Sequence, residues 1–171
     1  SEMCNTVAYD SIQVLGGSGF MRDYPCERHA RDARITTIYE GTSQLQVVAS
    51  VRGVCGGTGE KYIAELAELD YSSDVKPLLD LLEEGTETLK KSAAYIKEAG
   101  IDYMELYGRN IVDIAIDIII GYLFCSQAST SVEMETAVAT GNGQDPTISM
   151  LKRKAMVAER FITKNAIKIK A

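Results

Sequence analysis

Glu40 stands in "ARITTIYEGTSQLQ" between the apolar pair Ile38-Tyr39 and the turn residues Gly41, Thr42 and Ser43. A helix starting at Ser43, with Gln46 three residues on as the second half of a capping box, presents unpaired backbone N–H groups and the positive end of its dipole. Such an end is a natural seat for a pyrophosphate, and the side chains of Thr42, Ser43 and Gln44 can add hydrogen bonds to the same anion. Glu40, in the approach loop and flanked by apolar side chains, is expected to be partly desolvated, which makes a carboxylate a better base. Spacing alone equally admits an ordinary loop carboxylate favoured by the helix dipole. A second candidate is "QVLGGSGF", residues 13–20. It lacks both the G-x-G-x-x-G pattern after a strand and the Lys of a phosphate-binding loop, so on its own it reads as a helix C-cap or a ligand loop.

The elements that must position these residues are helical. Residues 2–15 place Met3, Val7, Ile12 and Leu15 at helix-compatible spacing before Gly16-Gly17, which predicts a helix ending there. "GGSGFMRDYP" reads as a loop punctuated by Pro25. "CERHARDARI" is a short charged helix with i,i+4 pairs Glu27–Arg31 and Arg28–Asp32, and "SQLQVVASVRGV" is a helix ended by Gly56-Gly57. Further on, Leu78, Leu82, Gly85, Leu89, Ala93 and Ile96 line one face of an amphipathic helix. Residues 102–130 are apolar around most of the circumference, as the centre of a bundle requires. Asp145 is expected to cap a last helix that opens on Pro146 and turns Leu151, Ala155, Ala158, Ile162, Asn165 and Ile169 to one side. No stretch alternates long enough to be a strand. The expected fold is all-α, with residues 1–58 as one part and a three- or four-helix bundle over residues 59–171.

With 46% hydrophobic and 25% charged residues, the 171-residue chain has the composition of a soluble globular protein. A net charge of −6 argues against a broad nucleic-acid surface. Charge is unevenly spread: residues 59–105 hold twelve acids against five bases, and residues 151–171 hold seven bases against Glu159. The basic strip fits packing against the acidic helix before it, or contact with an anionic membrane or an acidic partner. Cys4, Cys26, Cys55 and Cys125 are far apart and His29 is the single histidine, which argues against a metal site or a disulfide scaffold and fits a reducing, cytoplasmic location. The apolar run 111–125 is too short to span a bilayer and carries Asp113 and Asp117, so it is expected as a core helix. The opening "SEMCNTVAYDSIQVLGG" lacks an initiator Met and reads as mid-protein, the expectation being a fragment of something longer.

Residues 13–46 closely resemble the C-terminal signature of the acyl-CoA dehydrogenase family. They match its Gln-x-x-Gly-Gly-x-Gly-Phe, Tyr-Pro-x-Glu-Arg, Arg-Asp-Ala-Arg-Ile and Ile-Tyr-Glu-Gly-Thr elements in order and at the family's spacing. The resemblance covers roughly residues 3–58, and residues 59–171 look similar to the extra C-terminal helices of some members. It implies that Glu40 removes the pro-R α-proton of an acyl-CoA thioester while a β-hydride passes to the flavin, with the Glu40 backbone N–H on the thioester oxygen and Gly41 against the substrate. It further implies FAD contacts from Thr42, Ser43 and Gln44, and from Gln13, Val14, Leu15, Gly16 and Gly17 toward the FAD of a neighbouring subunit in a homo-oligomer. Electrons would pass to an electron-transfer flavoprotein. Branched-chain members of the isovaleryl type lack Glu at this position, so its presence implies a straight-chain acyl group.

Arg28, Arg31, Asp32 and Arg34 are expected in structural ion pairs. Because the family's N-terminal helical domain, its middle β-domain and the first helices of its C-terminal domain are absent from the sequence, the chain by itself is expected to be inactive. The rival reading is a docking or oligomerisation module in which the Glu40 region is a relic. For the extension itself two further expectations stand beside either reading: it completes a subunit interface, or its last helix meets a membrane through Lys152, Arg153 and Lys154.

Overall fold

A computed structural model describes residues 1–138 and 146–170. Eight α-helices follow one another among them, with no strand, in agreement with the all-α expectation. Packing divides the chain into two units, Ser1–Ala49 and Ser50–Ala171, with the division falling inside the fourth helix.

In the first unit, α1 (Glu2–Leu15), α2 (Gly17–Phe20) and α3 (Cys26–Ile35) pack on one another. The face that α1 buries is not the expected one. Ala8 is buried and Ile12 half-buried, while Met3, Val7 and Leu15 are exposed. The cause is polar as much as apolar. Asn5 Nδ2 donates 2.8 Å to the Ala33 carbonyl at the end of α3, which fixes the rotation of α1 and brings the small side chains Ala8 and Ala33 inward. The stretch 16–25 is also not all loop, because one helical turn, α2, forms directly after Gly16. Gly16 has φ 60°, a left-handed conformation that glycine adopts without the steric cost of a Cβ. Gly19 allows the close return of α2 onto α1: a Cβ there would sit 2.8 Å from the Ile12 carbonyl oxygen. α3 has the expected limits, and its Glu27–Arg31 pair forms at 3.6 Å.

The second unit holds the end of α4 (Ser43–Cys55) and four further helices: α5 (Thr58–Ala67), α6 (Lys76–Ala99), α7 (Ile101–Val138) and α8 (Pro146–Lys170). The 3-10 turn Ser73–Val75 leads into α6. α5 was not anticipated, although the three-residue step from Ile63 to Leu66, both buried, is its signal. α6 turns Leu82, Gly85, Leu89 and Ile96 inward as expected. α7 packs against α5, α6 and α8, with Ile111, Val112, Ala115, Ile118, Tyr122, Cys125 and Ala128 buried. The apolar helical stretch Ile101–Thr130 is twice as long as the 15-residue run and, by length and composition, sufficient to cross a membrane, so shortness is not what makes it a core helix. Its packing among three neighbours is.

On α8, Ala158, Ile162 and Asn165 face inward, while Ala155 is exposed, one position out of the stripe expected for it. Asp145 lies outside the described residues, as do the side chains of Leu151 and Lys152. The backbones approach closely where glycine permits: a Cβ on Gly121 would meet Leu82 Cδ2 at 2.5 Å and Ile162 Cγ1 at 3.3 Å. Each fully buried Ile or Leu here contributes about 1.5–3 kcal/mol relative to exposure. Burial also pushes the Cys125 thiol up to about 11, from an ordinary 9.0.

Candidate functional site

The site residues occupy two places in the first unit. Gln13, Val14 and Leu15 close α1 and lead into Gly16 and Gly17; all five are exposed. Thr42, Ser43 and Gln44 form the head of α4, with Thr42 and Gln44 exposed and Ser43 half-buried. Between these places α3 carries the chain to a tight turn. There the N–H groups of Ile38 and Tyr39 both donate to the Ile35 carbonyl, at 2.9 and 3.1 Å.

Glu40 follows with φ 55°, the one non-glycine residue with positive φ among those described. A left-handed backbone costs a residue with a Cβ roughly 1–2 kcal/mol, and such strain persists only where the surroundings hold it. Two features hold it here. Gly41 continues the reversal at φ 102°, a value glycine tolerates. The Gln46 side chain reaches back from α4 and donates Nε2–H to the Glu40 carbonyl at 2.6 Å. Gln46 also donates its backbone N–H to the Thr42 carbonyl at 3.1 Å, so the first turn of α4 is tied to the loop at both ends of that residue.

Gln46, expected in a capping box, has a further use. α4 begins with Ser43 itself, one residue after Thr42, and the Gln46 amide donates its Nε2–H to the Glu40 carbonyl. Gln46 thereby ties the head of α4, where first-turn N–H groups and the helix dipole favour an anion, to the Glu40 loop. Spacing rules find Gln46, but not its bond to Glu40.

The expected desolvation of Glu40 is absent in this chain. Its carboxylate is exposed, and the flanking Ile38 and Tyr39 are themselves 51% and 54% exposed, so they do not shield it. Arg34, nearby on α3, donates to the Thr37 hydroxyl, and Thr37 in turn donates 3.1 Å to the Arg34 carbonyl. The basic side chain is thereby engaged with the turn. Asn5, which the sequence reading passed over, supports the same turn from below: besides its bond to Ala33 it lies 3.5 Å from the Thr36 hydroxyl.

Around Gly17 the space is open. A Cβ built there meets nothing within 4 Å, in contrast to crowded Gly19 two residues on. Neither packing nor backbone conformation within this chain demands glycine at position 17.

Residues 1–54 match the sequence profile of the family described as acyl-CoA dehydrogenase, C-terminal domain. The broad-specificity linear acyl-CoA dehydrogenase FadE5 of Mycobacterium tuberculosis is 31% identical over 182 residues, covering 96% of this chain and 29% of that protein. The human mitochondrial short-chain specific acyl-CoA dehydrogenase is 54% identical over 46 residues, 27% of this chain and 11% of that one. An acyl-CoA dehydrogenase of Bacillus subtilis is 45% identical over 58 residues, 34% of this chain and 15% of its own length. The chain thus spans less than a third of the length of these relatives, and the FadE5 match extends through the helices after residue 58.

Proposed function

We propose, for a chain whose residues 1–54 belong to the C-terminal domain of the acyl-CoA dehydrogenase family, that Glu40 is the base of an α,β-dehydrogenation acting on a straight-chain acyl-CoA thioester. The observation that carries this reading is the Glu40 backbone: a strained, left-handed carboxylate residue tied to the head of a helix. Strain of this kind concentrates at functional sites. The carboxylate takes the α-proton, and the Glu40 backbone N–H donates to the thioester oxygen, where negative charge develops as the proton leaves. Because Glu40 is exposed in this chain, the desolvation that strengthens a base is supplied on complexation, by the acyl group and the surfaces that close over it.

The donor chemistry at the head of α4 fits FAD. Thr42, Ser43 and Gln44 offer hydroxyl, amide and first-turn N–H groups to a pyrophosphate, and open Gly17 with Gln13, Val14, Leu15 and Gly16 offers a second approach, toward the FAD of a neighbouring subunit in an oligomer. When bound, FAD supplies the acceptor for the β-hydride, and an electron-transfer flavoprotein takes the electrons onward. The word "linear" in the description of FadE5 supports the straight-chain substrate. The reaction belongs to the full-length protein, and the 171-residue chain alone is inactive.

The test is the visible spectrum of the full-length protein under anaerobic conditions, before and after addition of a straight-chain acyl-CoA. Wild type is expected to hold flavin and bleach, and Glu40→Gln to hold flavin and stay yellow, with the reduction rate lowered at least ~10³-fold. Bleaching of Glu40→Gln at the wild-type rate would remove Glu40 from the chemistry.

A further inference from the structure

We infer that Gln46 is a positioning residue for Glu40, a role that rests on the reading of Glu40 as the base. Glu40 hangs between two fixed points. Upstream, the Ile35 carbonyl accepts from both Ile38 and Tyr39, which sets where the turn delivers the chain. Downstream, Gln46 Nε2–H holds the Glu40 carbonyl at 2.6 Å and thereby the plane of the Glu40–Gly41 peptide. The only residue between these anchors that bears a Cβ in a left-handed conformation is Glu40. Release of the downstream anchor lets φ of Glu40 relax to negative values, which turns both its carboxylate and its N–H away from the directions they share in the clamped loop.

The packing beneath the loop agrees. A Cβ on Gly41 would lie 3.4 Å from Leu45 Cβ and 3.6 Å from Gln46 Nε2, so the amide group of Gln46 sits directly under the peptide it clamps. The donor is carried by a helix rather than by another loop. The Gln46 backbone N–H is itself bonded to the Thr42 carbonyl as the first helical bond of α4, so the clamping side chain stands on an ordered turn. Geometry of a base is worth much to the rate, since a displacement of about 1 Å costs about 10²-fold. Glutamine meets the requirement through its length and its N–H donor. Leucine has neither donor nor reach, and ionised glutamate has the reach and no donor.

Three variants of the full-length protein test this. In Gln46→Leu the rate constant for flavin reduction by a straight-chain acyl-CoA is expected to fall about 10- to 100-fold, with KM and flavin content within about twofold of wild type. A second readout isolates proton removal from hydride transfer: loss of α-deuterium to solvent from an acyl-CoA whose β-carbon bears no hydrogen, expected to slow by the same factor. In Gln46→Glu the rate relative to wild type is expected to recover as pH falls toward about 5, where a growing fraction of the new carboxyl group is protonated and can donate. A residue that merely stabilised the fold would lower flavin content or melting temperature and would give no such pH-dependent recovery.

Reduction and exchange rates in Gln46→Leu within twofold of wild type, alongside an inactive Glu40→Gln, would overturn the positioning role and leave Glu40 as the base. A Glu40→Gln protein that still exchanges the α-deuterium would instead overturn the reading beneath it. If Gln46→Leu does not accumulate, the isosteric Gln46→Glu decides by its pH profile alone: recovery supports the clamp, and a flat ratio overturns it.

Discussion

Residues 1–49 leave Val7, Val14, Phe20, Ile38 and Leu45 exposed, and the side chains they bury are those of Ala8 and Ala33. Residues 50–171 fully enclose Ile63, Ile111, Ile118 and Cys125. The unit with the specific chemistry has almost no core, and the unit with the core has no comparable motif. What orders the first unit is a small set of directed hydrogen bonds, Asn5 to Ala33 and Gln46 to Glu40, acting at points where the backbone must turn. The second unit is ordered by apolar area along four helices, which is non-directional and tolerant of many sequences. Precision at a site and bulk stability are thus supplied by different means in different parts of one chain.

Deletion of core volume gives the sharpest contrast. Ile118→Ala is expected to destabilise the second unit by about 3 kcal/mol, read as a lower urea midpoint by far-ultraviolet circular dichroism, because the side chain is completely buried. Val14→Ala in the first unit removes a side chain that is 84% exposed and is expected to change the midpoint by less than about 0.5 kcal/mol. Equal losses would break the division into a packed and an unpacked unit.

A pH titration adds a subtler difference. The Cys125 thiol is held protonated by burial, with its folded value near 11 above the ordinary 9.0. The unfolded chain ionises first as pH rises, so this stabilisation is complete below pH 9 and is lost as pH rises through 11. The loss reaches about 2–3 kcal/mol. The urea midpoint of wild type should fall over that range more steeply than that of Cys125→Ala, while identical slopes would mean that Cys125 is not buried in solution.

Two glycines of the first unit carry the comparison to the scale of a single Cβ. Gly19→Ala drives a Cβ to 2.8 Å from a backbone oxygen and is expected to cost about 1–3 kcal/mol. Gly17→Ala meets open space and is expected to be neutral or to stabilise by up to about 1 kcal/mol through better helix propensity. Thermal melting of the chain compares the two. Loss of flavin from full-length Gly17→Ala, with no loss of melting temperature, would mark residues 13–17 as a flavin contact.

How far these features were legible in the sequence follows the same division. The limits of α3, the break at Gly16 and the inward face of α6 are local properties, set by capping residues and three-to-four spacing, and they read directly. The inward face of α1 did not, because Met3, Val7 and Leu15 satisfy the apolar pattern while the rotation is set by Asn5, a polar residue bonded to a carbonyl 28 positions away. Glu40 was legible as a residue of interest and misread in its surroundings: apolar neighbours in sequence, Ile38 and Tyr39, are not walls in space when a turn points them outward. Gln46 was found by the capping pattern, but its bond to the Glu40 carbonyl was not, since that pattern says how far a side chain reaches and not every backbone group that awaits it.

α7, roughly 57 Å long at 1.5 Å per residue, is covered most extensively by α8, the helix that follows it. During synthesis its apolar flank therefore leaves the ribosome before the surface that shields it has been made. For that interval the nascent chain displays the kind of stretch that chaperones and membrane-insertion machinery select, and a stop codon placed before α8 would make the interval permanent.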